Sequence, residues 1–202
     1  MKLTWYGHSC FLAETKEGSV VFDPYAPGSV PGLRLPSLTA DAVSCSHDHR
    51  DHSFAAGVRL TGGTPRFSLR TIPCFHDDQG GALRGGNRIA VLEAEGLCLV
   101  HLGDLGHPLS AEQLAAVGRP DILLIPVGGY YTVDALTAAA VVRSLRPALT
   151  IPMHYRGPGF GYEVIGPVDA FTAQFDRVQI CETNALDPAR AEAPVVVLRC
   201  PV

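Results

Sequence analysis

The residues best able to do chemistry lie in one short run, Ser46-His47-Asp48-His49-Arg50-Asp51-His52. From His47 to His52 it holds three imidazoles and two carboxylates. Neutral imidazole and carboxylate are the usual protein ligands of zinc and similar divalent ions. His47 and His49 are two apart, so an extended backbone sends both to one side. Asp51 and His52 can reach a second point if the chain turns. The arrangement suits two neighbouring metal ions better than one. A polar surface loop with idle histidines is the competing reading. What decides between them is whether distant histidines and aspartates complete the shells.

Such residues stand at the ends of apolar segments. Residues 2–6, 10–15 and 19–24 read as three short strands, with Glu17-Gly18 as a hairpin turn. The third ends at Asp23-Pro24. After a Pro- and Gly-rich loop over 25–40, Ala42-Val43-Ser44-Cys45 is a short apolar strand that delivers the histidine run. A strand over 67–74 leads to His76, and a hairpin of 88–93 with 97–102 leads to Asp104. The nearly pure apolar stretch 121–125 fits a strand buried on both faces. Another strand, 147–151, leads to His154, and segments 178–181 and 194–199 close as strands. Helices are expected over 111–117 capped by Ser110, over 135–145 capped by Asp134, and near 167–175. Five strand ends thus present metal-type residues, and strand-end loops are where α/β proteins place their chemistry. If those ends share one edge, the side chains converge.

The bulk composition narrows the function classes. A chain of 202 residues that is 47% hydrophobic and 18% charged can bury a substantial core, and one domain over 1–202 is expected. A formal charge of −4 gives no electrostatic case for nucleic acid or an acidic membrane surface. No apolar run reaches the length of a membrane span. Met1-Lys2-Leu3-Thr4-Trp5 lacks the apolar core of a secretory signal. The expectation is a cytoplasmic protein acting on a small molecule, with homo-oligomers open. The six cysteines are scattered without a C-x-x-C pair, so reduced, mostly buried thiols are expected.

Asp23, the run His47-x-His49-x-Asp51-His52, His76, Asp104 within Gly-Asp-Leu-Gly, and the late His154 follow one another in an order that resembles the metallo-β-lactamase superfamily. Trp5-Tyr6-Gly7-His8-Ser9-Cys10-Phe11, Pro126-Val127-Gly128-Gly129 and Ile151-Pro152-Met153-His154-Tyr155 are similar to signatures of one branch, the small metal-dependent hydrolases related to ascorbate-6-phosphate lactonase. The resemblance implies an α/β fold, a four-layer αββα sandwich with a dinuclear site along one edge. It implies that His47, His49 and His76 hold the first metal, that Asp51, His52 and His154 hold the second, and that Asp104 bridges the two. The counterpart of Asp23 orients the metal loop from behind the ligands. Tyr130 stands where members of the branch often carry histidine.

The expected activity is hydrolysis of a small ester, lactone, amide or phosphoester by a metal-activated hydroxide at a dinuclear site. Two divalent ions are implied, zinc foremost, with manganese, iron or nickel compatible with the same donors. Asp51 would both ligate a metal and orient the hydroxide. His8 could line the pocket or protonate a leaving group, with a structural hydrogen-bonding role equally open. Tyr130 and Arg156 are candidate substrate contacts, Arg156 for an anionic group. Two other readings use the same residues: a mononuclear iron redox enzyme, and a non-catalytic metal-binding module. His101 and His107 read as packing or supporting groups, and Asp48, Asp77 and Asp78 as solvated loop carboxylates. The loops 25–40, 77–88 and 156–166 are expected to carry specificity.

Overall fold

The chain starts as a meander: β1 (Lys2–Trp5), β2 (Phe11–Thr15) and β3 (Gly18–Phe22) pair antiparallel in sequence order. The computed structural model describes all 202 residues. Three short strands stand where sequence suggested none, two of them here and a third, two residues long, near the end of the chain. β4 (Leu38–Ala40) ends the stretch read as loop, and after β5 (Ala42–Ser44) comes β6 (Val58–Leu60), parallel to β4. Three residues are too few to display a period of two, so these strands leave no pattern to read. β5 runs parallel to β3, pairing Phe22 with Ser44, so both strands end side by side.

The second sheet begins with the long antiparallel set β7 (Ser68–Phe75), β8 (Gly86–Ala94) and β9 (Leu97–His101). It continues through β10 (Ile122–Pro126) and β11 (Leu149–Met153), each buried along its whole length. After β12 (Val178–Ile180), a two-residue strand β13 (Ala185–Leu186) returns to pair with β1 in the first sheet, and β14 (Val195–Val197) inserts between β11 and β12. The result is a five-stranded sheet, β13-β1-β2-β3-β5, a seven-stranded sheet, β12-β14-β11-β10-β9-β8-β7, and the β4-β6 pair. Both large sheets mix parallel and antiparallel neighbours, and one apolar cluster draws Leu3, Phe11 and Phe22 from the first together with Leu92, Leu99 and Ile122 from the second.

The helices α1 (Ala111–Val117), α2 (Ala135–Leu145) and α3 (Asp169–Thr172) each follow a strand of the seven-stranded sheet. The first two occupy the expected residues because their ends are coded locally. Ser110 and Gln113 form a reciprocal capping box, and the Asp134 carboxylate accepts from Thr137 N at 2.8 Å. α3 is shorter than expected. Val168 at its N-cap offers no side-chain acceptor, and a single uncapped turn gives little return on the cost of nucleation. No helix is long and apolar enough to cross a membrane. All six cysteines are free, with Cys10 and Cys74 buried and the other four half-buried.

Candidate metal centre

The ends of β3, β5, β7, β9 and β11 meet at one edge, and the side chains that follow them meet around Asp104. Gly103 makes the turn after β9 at φ +55°, and a Cβ there would stand 2.4 Å from Ser46 Cβ, so this position needs glycine. The turn points the buried Asp104 carboxylate inward. Its Oδ2 lies 3.2 Å from His52 Nε2, 3.2 Å from His76 Nε2 and 3.1 Å from His154 Nε2. Asn87 on β8 steadies the hub: its Oδ1 accepts from Asp104 N at 3.1 Å and its Nδ2 donates to Leu102 O at 2.9 Å.

Asp23 ties the ends of β3 and β5 to the histidine run. Its buried carboxylate accepts from Ser46 N at 2.7 Å, Ser46 Oγ at 2.6 Å and His52 Nδ1 at 2.8 Å. Burial pushes its pKa up, but His101, His52 and Ser46 hold it below the ordinary carboxylate range. His8, Asp23 and His154 all have positive φ, between 42° and 52°. Non-glycine residues in that region cost about 1–2 kcal/mol each, so the surrounding structure holds the site in a strained backbone.

The donor set fits a cation, and hydrogen positions show why. Tyr131 O is a carbonyl, so His76 Nδ1 must donate across their 3.1 Å contact. His52 Nδ1 likewise donates to the Asp23 carboxylate. A neutral imidazole carries one N–H, so both Nε2 atoms turn lone pairs toward Asp104 Oδ2, itself an acceptor. These atoms repel unless a proton or a cation lies among them. Without a cation, burial pulls His52 down, but the Asp104 and Asp23 carboxylates together raise its pKa well above the ordinary value. Buried His47 Nε2 and Asp104 Oδ1 have no hydrogen-bond partner at all, and burial holds His47 neutral with a pKa of about 3. Neutral imidazoles and ionised carboxylates are what a divalent ion requires.

Two groups of donors lie around this hub. The ligand atoms of His47, His49 and His76 all fall within 4.8 Å of one another, as do those of His8, Asp51, His52 and His154. His8 thus sits nearer the donors than a pocket-lining role requires. Its Nε2 contacts Asp51 Oδ2 at 3.3 Å and its ring packs 4.1 Å from that of His154. Burial lowers its pKa to about 4, with His154 adding to the effect. His101 takes no part: it stacks on Phe22 and bonds Ser9 O at 2.9 Å. His107 accepts from Phe75 N at 3.1 Å.

A cleft of about 250 Å³ opens over the cluster. His49, Asp51, His76, Asp104 and His154 reach it from below, and Arg84, Tyr131 and Tyr162 complete its wall. None of these last three was singled out in the sequence. Arg84 and Tyr162 lie within the loops 77–88 and 156–166 expected to carry specificity, which was the only available signal. Tyr130 is 64% exposed and is not part of the wall. Arg156 is exposed, and its Nε donates to Ile165 O at 2.8 Å rather than facing the cleft.

Asp77 corrects the expectation of a solvated carboxylate, while Asp48 and Asp78 are exposed as expected. Asp77 is 2% exposed and accepts four backbone N–H bonds, from Gln79, Gly81, Leu83 and Arg84, at 2.8–3.0 Å. Burial pushes its pKa up, but these donors bring it down to about 2. Asp77→Ala is therefore expected to loosen the loop and not the sheets. Amide exchange over 78–85 should rise about tenfold or more, since a lost charge-assisted acceptor is worth at least that in an opening equilibrium, with β10 and β11 unchanged. Unchanged exchange in the loop would show that other contacts hold it.

Residues 2–154 match a family profile described as a beta-lactamase superfamily domain. A UPF0173 metal-dependent hydrolase of Opitutus terrae is 30% identical over 196 residues, covering 77% of this chain and 85% of that protein. Another, from Thermoplasma volcanium, is 28% identical over 187 residues, covering 77% and 83%. A crystal structure from Thermotoga maritima, of a protein assigned to the metallo-beta-lactamase superfamily, superposes with a TM-score of 0.78 at 33% identity, covering 98% of this chain and 97% of that one.

Proposed function

The chain belongs to the metallo-β-lactamase superfamily and its UPF0173 metal-dependent hydrolases, with the fold of that superfamily; from that premise we propose that it cleaves a small ester, lactone, amide or phosphoester with two divalent ions, zinc foremost. The observation that carries this reading is the Asp104 oxygen set against imidazole lone pairs that only a positive charge reconciles. His47, His49 and His76 would hold one ion and Asp51, His52 and His154 the other, with Asp104 shared between them. Bound there, the ions would supply Lewis acidity and bring the pKa of water down to about 7.

The chain's own groups do the rest. Asp23 and Tyr131 O fix His52 and His76 in the tautomer that leaves Nε2 bare. Asp51 stands at the cleft edge with its Oδ2 held by His8 Nε2 at 3.3 Å and 3.1 Å from the Tyr162 hydroxyl, whose single proton is shared with Ser29 O at 2.6 Å. That oxygen is placed to accept a hydrogen bond from the attacking water and to orient it. Burial of His8 at the same edge keeps its imidazole neutral, so its role would be to donate Nε2–H to Asp51 and steady that oxygen and not to protonate a leaving group, which needs a pKa nearer the working pH. The branch signatures around Trp5 to Phe11 make lactones the first substrates to try.

Elemental analysis of protein purified without chelator tests the reading. About two equivalents of zinc or manganese, with metal-dependent turnover of one of the four bond classes, are expected. About one equivalent of iron with no hydrolysis would replace it by the redox reading. No metal bound, and none taken up on addition, would end it.

A further inference from the structure

The cleft wall contains one cationic side chain, Arg84. It is half-buried, and its guanidinium meets no carboxylate and no carbonyl of the protein. It lies over the Tyr131 ring, whose centroid is 5.7 Å from the guanidinium carbon. A guanidinium offers five N–H donors in a fixed fork. Leaving it without an acceptor at the rim of a cleft runs against the habit of such groups, which pair when they are drawn out of water.

The loop that presents Arg84 is built to hold it. The Asp77 carboxylate accepts from the backbone N–H of Arg84 itself at 2.8 Å and from three other amides of the same loop. Gly81, at φ +86°, lets the loop pass Phe75 and Gly85, where a Cβ would meet Phe75 Cδ1 at 3.0 Å. Tyr131 in turn is tied to the centre, because its carbonyl accepts from His76 Nδ1. The backbone that presents Arg84, and that of the Tyr131 ring beside it, are thus anchored near the donors around Asp104. Once those donors hold divalent ions, an unpaired cation nearby is repelled by them. A bound anion placed between offsets that repulsion.

We infer that Arg84, backed by Tyr131, is the recognition point for an anionic group of the substrate, a carboxylate or a phosphate set apart from the bond that is cleaved. The inference deepens the hydrolase reading above and rests on it for the word substrate. It makes the substrate class an ester, lactone or amide that also bears a negative charge. Arg84 is then a specificity-determining residue, and it takes the role expected of Arg156. The two-point fit of guanidinium to carboxylate or phosphate distinguishes it from a lysine at the same place.

Two measurements on the metal-replete protein test this. Glutarate and inorganic phosphate are titrated by calorimetry into wild type, Arg84→Gln and Arg84→Lys, with melting temperature and metal content recorded for each. In wild type one of the two anions should bind, and Arg84→Gln should weaken it by about 10- to 100-fold at unchanged metal content, as expected for loss of a charge-assisted fork. Arg84→Lys should fall between. Loss confined to glutarate identifies a carboxylate, and loss confined to phosphate identifies a phosphate. Binding of both anions within twofold of wild type in Arg84→Gln, or no binding to wild type, overturns the inference. The second measurement compares esters matched in size, one neutral and one carrying a carboxylate. Arg84→Gln should raise KM for the charged ester alone. If both esters turn over with unchanged KM in Arg84→Gln, the anion site falls and the hydrolase stands. If nothing turns over but Arg84→Gln still loses the anion, the hydrolase falls and the anion site stands.

Discussion

Asp104→Ala is expected to abolish metal-dependent hydrolysis, with kcat/KM falling on the order of 10³-fold or more, because the several kcal/mol of Lewis-acid stabilisation proposed above depend on metal held at this carboxylate. The reasoning follows from what the carboxylate touches. Its Oδ2 stands 3.1–3.2 Å from nitrogens of His52, His76 and His154, which come from three different strand ends. Its Oδ1 is buried without a hydrogen bond. It thus reaches donors from both groups around the hub, and with His47 and His52 it forms a third set within 4.8 Å. Removing it takes away the shared acceptor and leaves imidazoles that no longer face a common charge. Metal content should therefore fall together with activity. Asp104→Asn separates charge from shape. It keeps the volume and one acceptor but not the negative charge that would balance a bound cation, so it should lose metal nearly as fully while folding at least as well. Retention of wild-type metal and activity by Asp104→Asn would remove Asp104 from the centre of the chemistry.

What the sequence disclosed, and what it hid, divides along the reach of the interactions. α1 and α2 were legible because Ser110, Gln113 and Asp134 cap them from a few residues away. The strands ending at Asp23, His76, Asp104 and His154 were legible because an apolar run followed by a metal-type residue is itself a local pattern. That the five ends meet is a long-range fact, and only their repetition along the chain hinted at it. Asp77 shows the limit. A carboxylate in a Gly-rich loop looks solvated, and nothing in the neighbouring letters tells that four backbone amides fold back onto it. Arg84 and Tyr162 were hidden for a related reason. Their loops could be named, but which residue of a loop turns inward depends on glycine geometry and on contacts with distant strands. β4 and β6 were too short to carry any period, and α3, expected near 167–175, is only one turn long because no cap fixes its start.

Asp23→Ala is expected to be the most destabilising single change in the site. It strips the acceptor from Ser46 N, Ser46 Oγ and His52 Nδ1, all buried, at a cost of about 1–3 kcal/mol for each donor left unmet. It also places alanine at φ +42°, where a non-glycine residue without a side-chain bond to compensate is strained by about 1–2 kcal/mol. A loss of about 3 kcal/mol or more in urea unfolding is expected, which threatens the whole fold in a marginally stable domain. Asp23→Asn is the informative partner. Asparagine tolerates the left-handed backbone and its Oδ1 can still accept from Ser46 N. Its amide, however, presents a donor to His52 Nδ1. His52 must then carry its proton on Nε2, toward Asp104, where the lone pair was needed. Stability should change little while metal affinity falls about 10- to 100-fold, the usual effect of losing a group that fixes a ligand's tautomer. Equal losses of stability and metal binding in Asp23→Asn would mean that Asp23 serves the β3–β5 junction alone. A metal defect without a stability defect assigns it to the histidine.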